Sequence, residues 1–310
     1  MNVVIIFVAF VTTVSTTHFE PDHHKNWKLL DNNICGQVSS SRIIGGKEAS
    51  MNAFPWVASI GYQIDPSKPK DITFRCGGVL INSNTVLTAA HCAVDLPKNI
   101  VLDTIRLGEH DTATNPDCQN DVCADPVVDF KPEEIILPKN YNEVPLKHDL
   151  ALIRLKRKVT YTDYVRPICL PSGKFYRKNL VGRMAEVTGW GIYDMKLLQS
   201  SQKLQVVTLP IVNNSECVKY YPKVARIGPT QLCIGGIIGK DSCSGDSGGP
   251  AMMVDDSNGE PHYYLVGIVS FGAKECGGSE APAVYTKITS YLKWVLDNLE
   301  KTTHARVLML

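Results

Sequence analysis

The chain of 310 residues lacks a charge bias: 32 basic residues stand against 31 acidic ones. That balance leaves no general electrostatic footprint for nucleic acid or an anionic membrane, so recognition has to come from a local site. It also lacks an apolar run long enough to span a bilayer. The longest, Val3 to Val14, ends at the small residues Ser15, Thr16 and Thr17. It sits where the apolar core of a secretory signal peptide belongs, although no Lys or Arg precedes it, and an N-terminal anchor is the alternative. We find no internal repeat and no low-complexity segment. Helical patterning is scarce as well. One amphipathic helix is expected, from about Ser290 to Leu299, with Leu292, Trp294, Val295 and Leu299 on one face.

The ten cysteines are an even number, which fits an oxidising compartment, and their spacings are not those of zinc ligands. Residues 18 to 42 are polar, contain Pro21 and end in Ser39-Ser40-Ser41-Arg42. They read as an exposed, poorly ordered leader. From Ile43 onward come short β-type runs broken by Gly, Pro, Asn and Asp, clearest at 77–81, 86–90, 150–155 and 265–271. Length allows one large all-β domain or two small ones.

The most informative segment is Gly245-Asp246-Ser247-Gly248-Gly249-Pro250. Glycines on both sides of a serine let the backbone turn tightly and leave two amide N–H groups free to point at one spot. A serine hydroxyl is a poor nucleophile by itself and needs a base and an orienting acid. Thr88-Ala89-Ala90-His91-Cys92 supplies a histidine, and His148-Asp149-Leu150-Ala151-Leu152 an aspartate. The order His91, Asp149, Ser247 is that of chymotrypsin, distinct from subtilisin and the α/β-hydrolases.

On these motifs the chain resembles the chymotrypsin-like (trypsin-family) serine proteases over roughly residues 43 to 300. The resemblance implies two packed antiparallel β-barrels with a C-terminal α-helix. It implies His91 as general base, Asp149 as its orienting acid and Ser247 as nucleophile, with Gly245 and Ser247 N–H groups as the oxyanion hole. Ser270 matches the serine that contacts the catalytic aspartate, and Asp241 the floor of the primary pocket, where a carboxylate selects Arg or Lys. Gly272 would keep one pocket wall open. Ala283 departs from the usual glycine, and its methyl group is expected to intrude near the floor.

Arg42-Ile43-Ile44-Gly45-Gly46 is similar to the family's activation site: cleavage after Arg42 would free an ammonium on Ile43 to pair with Asp246. The resemblance also implies the pairings Cys76–Cys92, Cys217–Cys233, Cys243–Cys276 and Cys35–Cys169, leaving Cys118 with Cys123. It requires no cofactor for catalysis, but Glu109, with Asp111, Asp117 and Asp121 nearby, matches the start of a calcium loop, a solvated acidic loop being the alternative. Asn213-Asn214-Ser215 is one glycosylation sequon.

The wording from Arg106 to Cys118 and the placement of Cys35 resemble the catalytic part of arthropod clip-domain proteases of the easter and prophenoloxidase-activating type. The clip itself is not found, since 18 to 42 hold a single cysteine where a clip needs six. The expected organisation is a signal peptide at 1–17, an activation leader at 18–42 and a protease domain at 43–310. The expected function is a secreted endopeptidase made as a zymogen, cutting protein substrates after Arg or Lys in an extracellular cascade. Its partners would be protein zymogens as substrates, an upstream activating protease and serpin-type inhibitors. A catalytically silent protease fold and a digestive trypsin are the alternatives.

Overall fold

The computed structural model describes residues 18–37, 47–65, 67–68, 70–119, 121–144, 146–194, 199–222, 226–300 and 307–309. The expected signal peptide and the Arg42-Ile43 site lie outside them. Short strands dominate because apolar and β-branched residues recur in runs of five to ten between turn residues. Seven strands build the first sheet: β1 (Val57–Gln63), β2 (Ile72–Asn82), β3 (Thr85–Thr88), β4 (Val101–Leu107), β5 (Val128–Phe130), β6 (Pro132–Ile136) and β7 (Ala151–Leu155). Their order is β6-β7-β3-β2-β1-β4-β5.

Six longer strands form the second sheet, β8 (Met184–Gly189), β9 (Gln205–Val212), β10 (Gln231–Gly235), β11 (Pro250–Asp255), β12 (His262–Phe271) and β13 (Pro282–Lys287), with the two-residue strand Lys47–Glu48 paired to β9 as its seventh. They run β9-β8-β11-β12-β13-β10, and a β9–β10 pairing (Ile211 opposite Ile234) closes the barrel. A last strand, β14 (Val307–Met309), adds to the first sheet antiparallel to β6, with Leu308 opposite Ile135.

Each barrel fills with its own apolar side chains, among them Ile60, Leu80, Leu87, Leu107 and Leu152 in the first and Val187, Leu209, Ile234 and Val266 in the second. Full burial of such a side chain contributes about 1.5–3 kcal/mol. The expected C-terminal helix is shorter than the pattern suggested: α4 covers Leu292–Asp297, preceded by a 3-10 turn at Ile288–Ser290. It packs Leu292, Val295 and Leu296 on the first core. Arg154, fully buried, fastens its end by donating to Leu299 O (2.8 Å) and Asn298 O (2.9 Å) while pairing with Glu134 (2.8 Å). The helix α3 (Asn214–Tyr220) was not anticipated from the sequence.

The leader corrects a second expectation. Residues 18–37 are docked rather than loose: Asn26, Leu30 and Cys35 are buried. Asn26 Nδ2 donates to Leu296 O (2.9 Å), Asn82 Nδ2 to Leu29 O (3.2 Å) and Tyr161 Oη to Asp31 Oδ2 (2.5 Å). Trp27 and Leu29 lie against the first core. Three apolar side chains and a row of specific bonds offset the entropy of ordering a polar segment. Disulfides join Cys35–Cys169, Cys76–Cys92, Cys118–Cys123, Cys217–Cys233 and Cys243–Cys276.

Candidate active site

The run 86–90 is a strand only as far as Thr88; α1 (Ala90–Ala93) begins directly after and carries His91. Asp149 lies just before β7, which pairs with β3, so the register Ala151 opposite Thr88 brings the two residues together. His91 Nδ1 is 2.9 Å from Asp149 Oδ2, and the His91 backbone N–H donates to Oδ1 at 3.0 Å. Ser270 Oγ, on β12, donates to Asp149 Oδ2 at 2.5 Å. Asp149 is buried, and these donors are what make a buried carboxylate tolerable.

Ser247 reaches this pair from the second barrel. Gly77 N, on β2, donates to Ser247 O (2.8 Å), and Gly248 N donates to Val269 O (2.9 Å). Gly248 sits at φ +80, and a Cβ there would lie 2.1 Å from Thr88 Oγ1 and 2.5 Å from Gly77 O. Only glycine allows this approach between the barrels. The Cys76–Cys92 disulfide stands between, with Cys92 Sγ 3.5 Å from Ser247 O and 3.7 Å from His91 Nε2. No hydrogen bond joins Ser247 Oγ to His91 here; such bonds are often long until substrate is bound. Among the described residues the N–H groups of Gly245 and Ser247 have no acceptor, and Gly245 takes φ +103.

Asp246 points away from Ser247. Its Oδ1 accepts from Gly191 N and its Oδ2 from Cys243 N, both at 2.8 Å. The carboxyl is pushed up to about 6 by burial, against those two amide donors. The residue keeps partial solvent access.

Asp241 Oδ1 accepts from Ser242 N (2.8 Å) and Oδ2 from Gly277 N (3.4 Å). Burial pushes its carboxyl up to about 6, partly opposed by these donors. A Cβ on Gly235 would stand 3.6 Å from Asp241 Oδ1 and 3.8 Å from Ala283 N, so the carboxylate lies beside the Ala283 backbone. A Cβ on Gly272 would meet the Ala283 methyl at 3.3 Å. Gly272 and the buried Ala283 methyl therefore lie against each other.

Residues not anticipated from sequence complete the support. Thr286 Oγ1 donates to Asp149 O (2.6 Å), and Thr88 Oγ1 to Gly77 O (2.7 Å). His148 takes φ +54 and its Nδ1 is 2.8 Å from Tyr291 Oη. Thr286 stands in no recognisable motif, whereas Thr88 opens the segment that carries His91.

Glu109 is buried; Arg106 Nη1 donates to its Oε2 at 3.3 Å, and its Oε1 has no hydrogen-bond partner among the described residues. Burial, then the Asp117 charge, push it up to about 7 against Arg106. An orphaned oxygen on a buried carboxylate facing a second carboxylate fits a cation. Asp111 lies in the same loop. Its Oδ1 accepts from Ala113 N, and it is Asp117 that organises the loop, accepting from His110 N, Asp111 N and Thr114 Oγ1. Among the described residues the sole group of three His, Cys, Asp or Glu side chains placed to share an ion is Cys76, His91 and Cys92, whose sulfurs are already bonded to each other.

The family model for Trypsin matches residues 43–295. This chain belongs to the trypsin family of serine proteases. It is a serine endopeptidase. The trypsin-family chain is 40% identical to the CLIP domain-containing serine protease HP8 of Bombyx mori over 279 residues, covering 88% of this chain and 73% of that one. It is 39% identical to the Spaetzle-processing enzyme of Drosophila melanogaster (88% of this chain, 70% of that one) and 40% identical to Melanization protease 1 of the same species (86% and 67%). The crystal structure of the Drosophila Grass clip serine protease of the Toll pathway superposes with a TM-score of 0.75 at 34% identity, covering 87% of this chain and 75% of that one.

Proposed function

We propose that this protease is a secreted zymogen that, once cut between Arg42 and Ile43, cleaves protein substrates after Arg or Lys in an extracellular cascade. The observation that carries the reading is the buried Asp149, held by His91 and Ser270, with the Ser247 turn brought against it across the barrel interface. Asp149 keeps the proton of His91 on Nδ1, leaving the Nε2 lone pair to take the Ser247 proton as Oγ attacks the scissile carbonyl. The same nitrogen then protonates the leaving amine. The free N–H groups of Gly245 and Ser247 receive the oxyanion, each such donor being worth roughly 3 kcal/mol. Water repeats the sequence on the acyl-enzyme.

Residues 1–17 serve as the signal peptide. Residues 18–42 remain as a light chain through Cys35–Cys169, and 43–310 form the protease domain. The relatives' names, a Spaetzle-processing enzyme and a melanization protease, support a cascade role over digestion. Its partners are then an upstream protease, zymogen substrates and serpin-type inhibitors. Asn213 is exposed ahead of α3 and makes no capping bond, which suits a glycosylated sequon.

A fluorophosphonate probe tests the assignment. After activation it labels wild-type protein, and it fails on Ser247→Ala and on His91→Ala. Labelling that persists in Ser247→Ala refutes Ser247 as the nucleophile.

Calcium, if bound, takes Glu109 and neutralises its charge. Without it, Glu109 keeps its proton in the fold (about 7) and loses it in the unfolded chain (4.5). Glu109 therefore makes stability fall as pH rises from about 4.5 to about 7, then level off. Proton and cation compete, so calcium stabilises more at pH 8 than at pH 5; at 100 times its Kd the total stabilisation is about 2.7 kcal/mol. Thermal unfolding with calcium or chelator, in wild type and Glu109→Gln, checks this. An equal calcium response in the variant overturns the site.

A further inference from the structure

A cavity of about 200 Å3 opens on the first barrel, away from the site described above. Val128 and Phe130, two residues apart on β5 and so on one face, wall it together with Val159 and Val165. A dry apolar cavity of ~150 Å3 admits a benzene ring, so this one takes a large side chain.

At its edge runs Lys156-Arg157-Lys158, three consecutive exposed cations. None has a carboxylate partner among the described residues. Arg157 lies over the Phe130 ring at 4.1 Å and donates to Asp129 O at 3.1 Å, which fixes its guanidinium beside the cavity. The neighbouring cations are already matched: Lys131 pairs with Asp103, Arg106 with Asp129 and Arg166 with Asp163. Asp125 is the one acidic residue lining the cavity. The local surplus is thus positive and unpaired in a protein whose total charge is balanced.

We propose that this cavity and the Lys156–Lys158 run form a docking site for an acidic, extended segment of a protein partner, one bulky apolar side chain of which enters between Val128 and Val159. The apolar anchor supplies the buried contact and the cations supply steering and register. The site shares no residue with the Ser247 machinery and stands independently of the substrate assignment.

The test is fluorescence anisotropy of a labelled ten-residue peptide, rich in Asp and Glu with a central Phe, titrated with the full uncut chain at low salt. Saturable binding is expected, weakened at least tenfold by Lys156→Glu/Lys158→Glu and again by Phe→Ser in the peptide. Val128→Trp, which fills the cavity, should weaken it similarly. The milder Lys156→Gln/Lys158→Gln pair serves if the charge reversal impairs folding. Unchanged melting temperature, and unchanged cleavage of a small Arg peptide after activation, verify that each variant is intact. Absence of binding, or binding indifferent to the lysines, overturns the proposal. So does binding that heparin displaces while Phe→Ser and Val128→Trp leave it unaltered, since the surface is then a polyanion patch and the cavity plays no part.

Discussion

Replacing Asp241 by Ser lowers kcat/KM on peptides cleaved after Arg by about 10²- to 10⁴-fold, the equivalent of ~3–5 kcal/mol for removing one member of a buried charge pair. In the wild type, Asp241 is half-enclosed beside Ala283 with its oxygens toward Ser242 N and Gly277 N. A guanidinium entering above it replaces water with two charge-assisted bonds, whereas Phe leaves the carboxylate unpaired. The activated enzyme is therefore expected to prefer Arg, to cleave less well after Lys and hardly at all after Phe or Leu. Arg leads because an ammonium, shorter and a point charge, commonly needs a bridging water at such a floor, and the Ala283 methyl crowds that water against the Gly272 side. Fluorophosphonate labelling of Asp241→Ser should persist, separating a lost pocket from a lost fold. Matched Arg, Lys and Phe peptides measured before and after Ala283→Gly decide the rest. Efficient Phe cleavage refutes the pocket; an unaltered Arg/Lys ratio in Ala283→Gly removes the crowding argument alone.

Arg42→Gln protein stays inactive, at least 100-fold below wild type, after exposure to the protease that activates the wild type. Asp246 explains the size of the effect. In the uncut chain its carboxyl is pushed up to about 6 and, among the described residues, is met by two amides but by no cation. Gly189 and Gly191 leave it room: a Cβ on either would lie within 2.1 Å and 2.5 Å of its oxygens. A new Ile43 ammonium supplies the missing charge, and breaking such a buried pair typically costs ~3–5 kcal/mol. On denaturing gels the leader of the activated protein should separate only after reduction of Cys35–Cys169. Full activity in Arg42→Gln protein sinks the mechanism.

Much of the chemistry was legible because it is written in contiguous residues. A serine between glycines, a histidine after two alanines and an aspartate before an apolar strand are local arrangements, and backbone sterics and side-chain chemistry act locally. Asp241, Ser270 and Gly272 could be read only through the resemblance, since single residues carry no spacing signal. Boundaries were less legible: 86–90 leaves the strand at Thr88 because Ala90 starts the turn that aims His91, and α4 stops at Asp297, where Arg154 draws the following carbonyls inward. The leader misled because its composition is polar, yet it folds onto a surface made by residues 82, 161 and 296.

By itself, then, the sequence determined the all-β class and the protease family and singled out the candidates for nucleophile, base and acid, because each follows from residue type within a few positions of chain. The tertiary structure alone decided how Ser247 approaches His91 across two barrels, that Thr286 holds the backbone of Asp149, and that residues 18–37 are part of the packed body. Those outcomes depend on strand register and on contacts between residues a hundred or more positions apart, which no local pattern encodes.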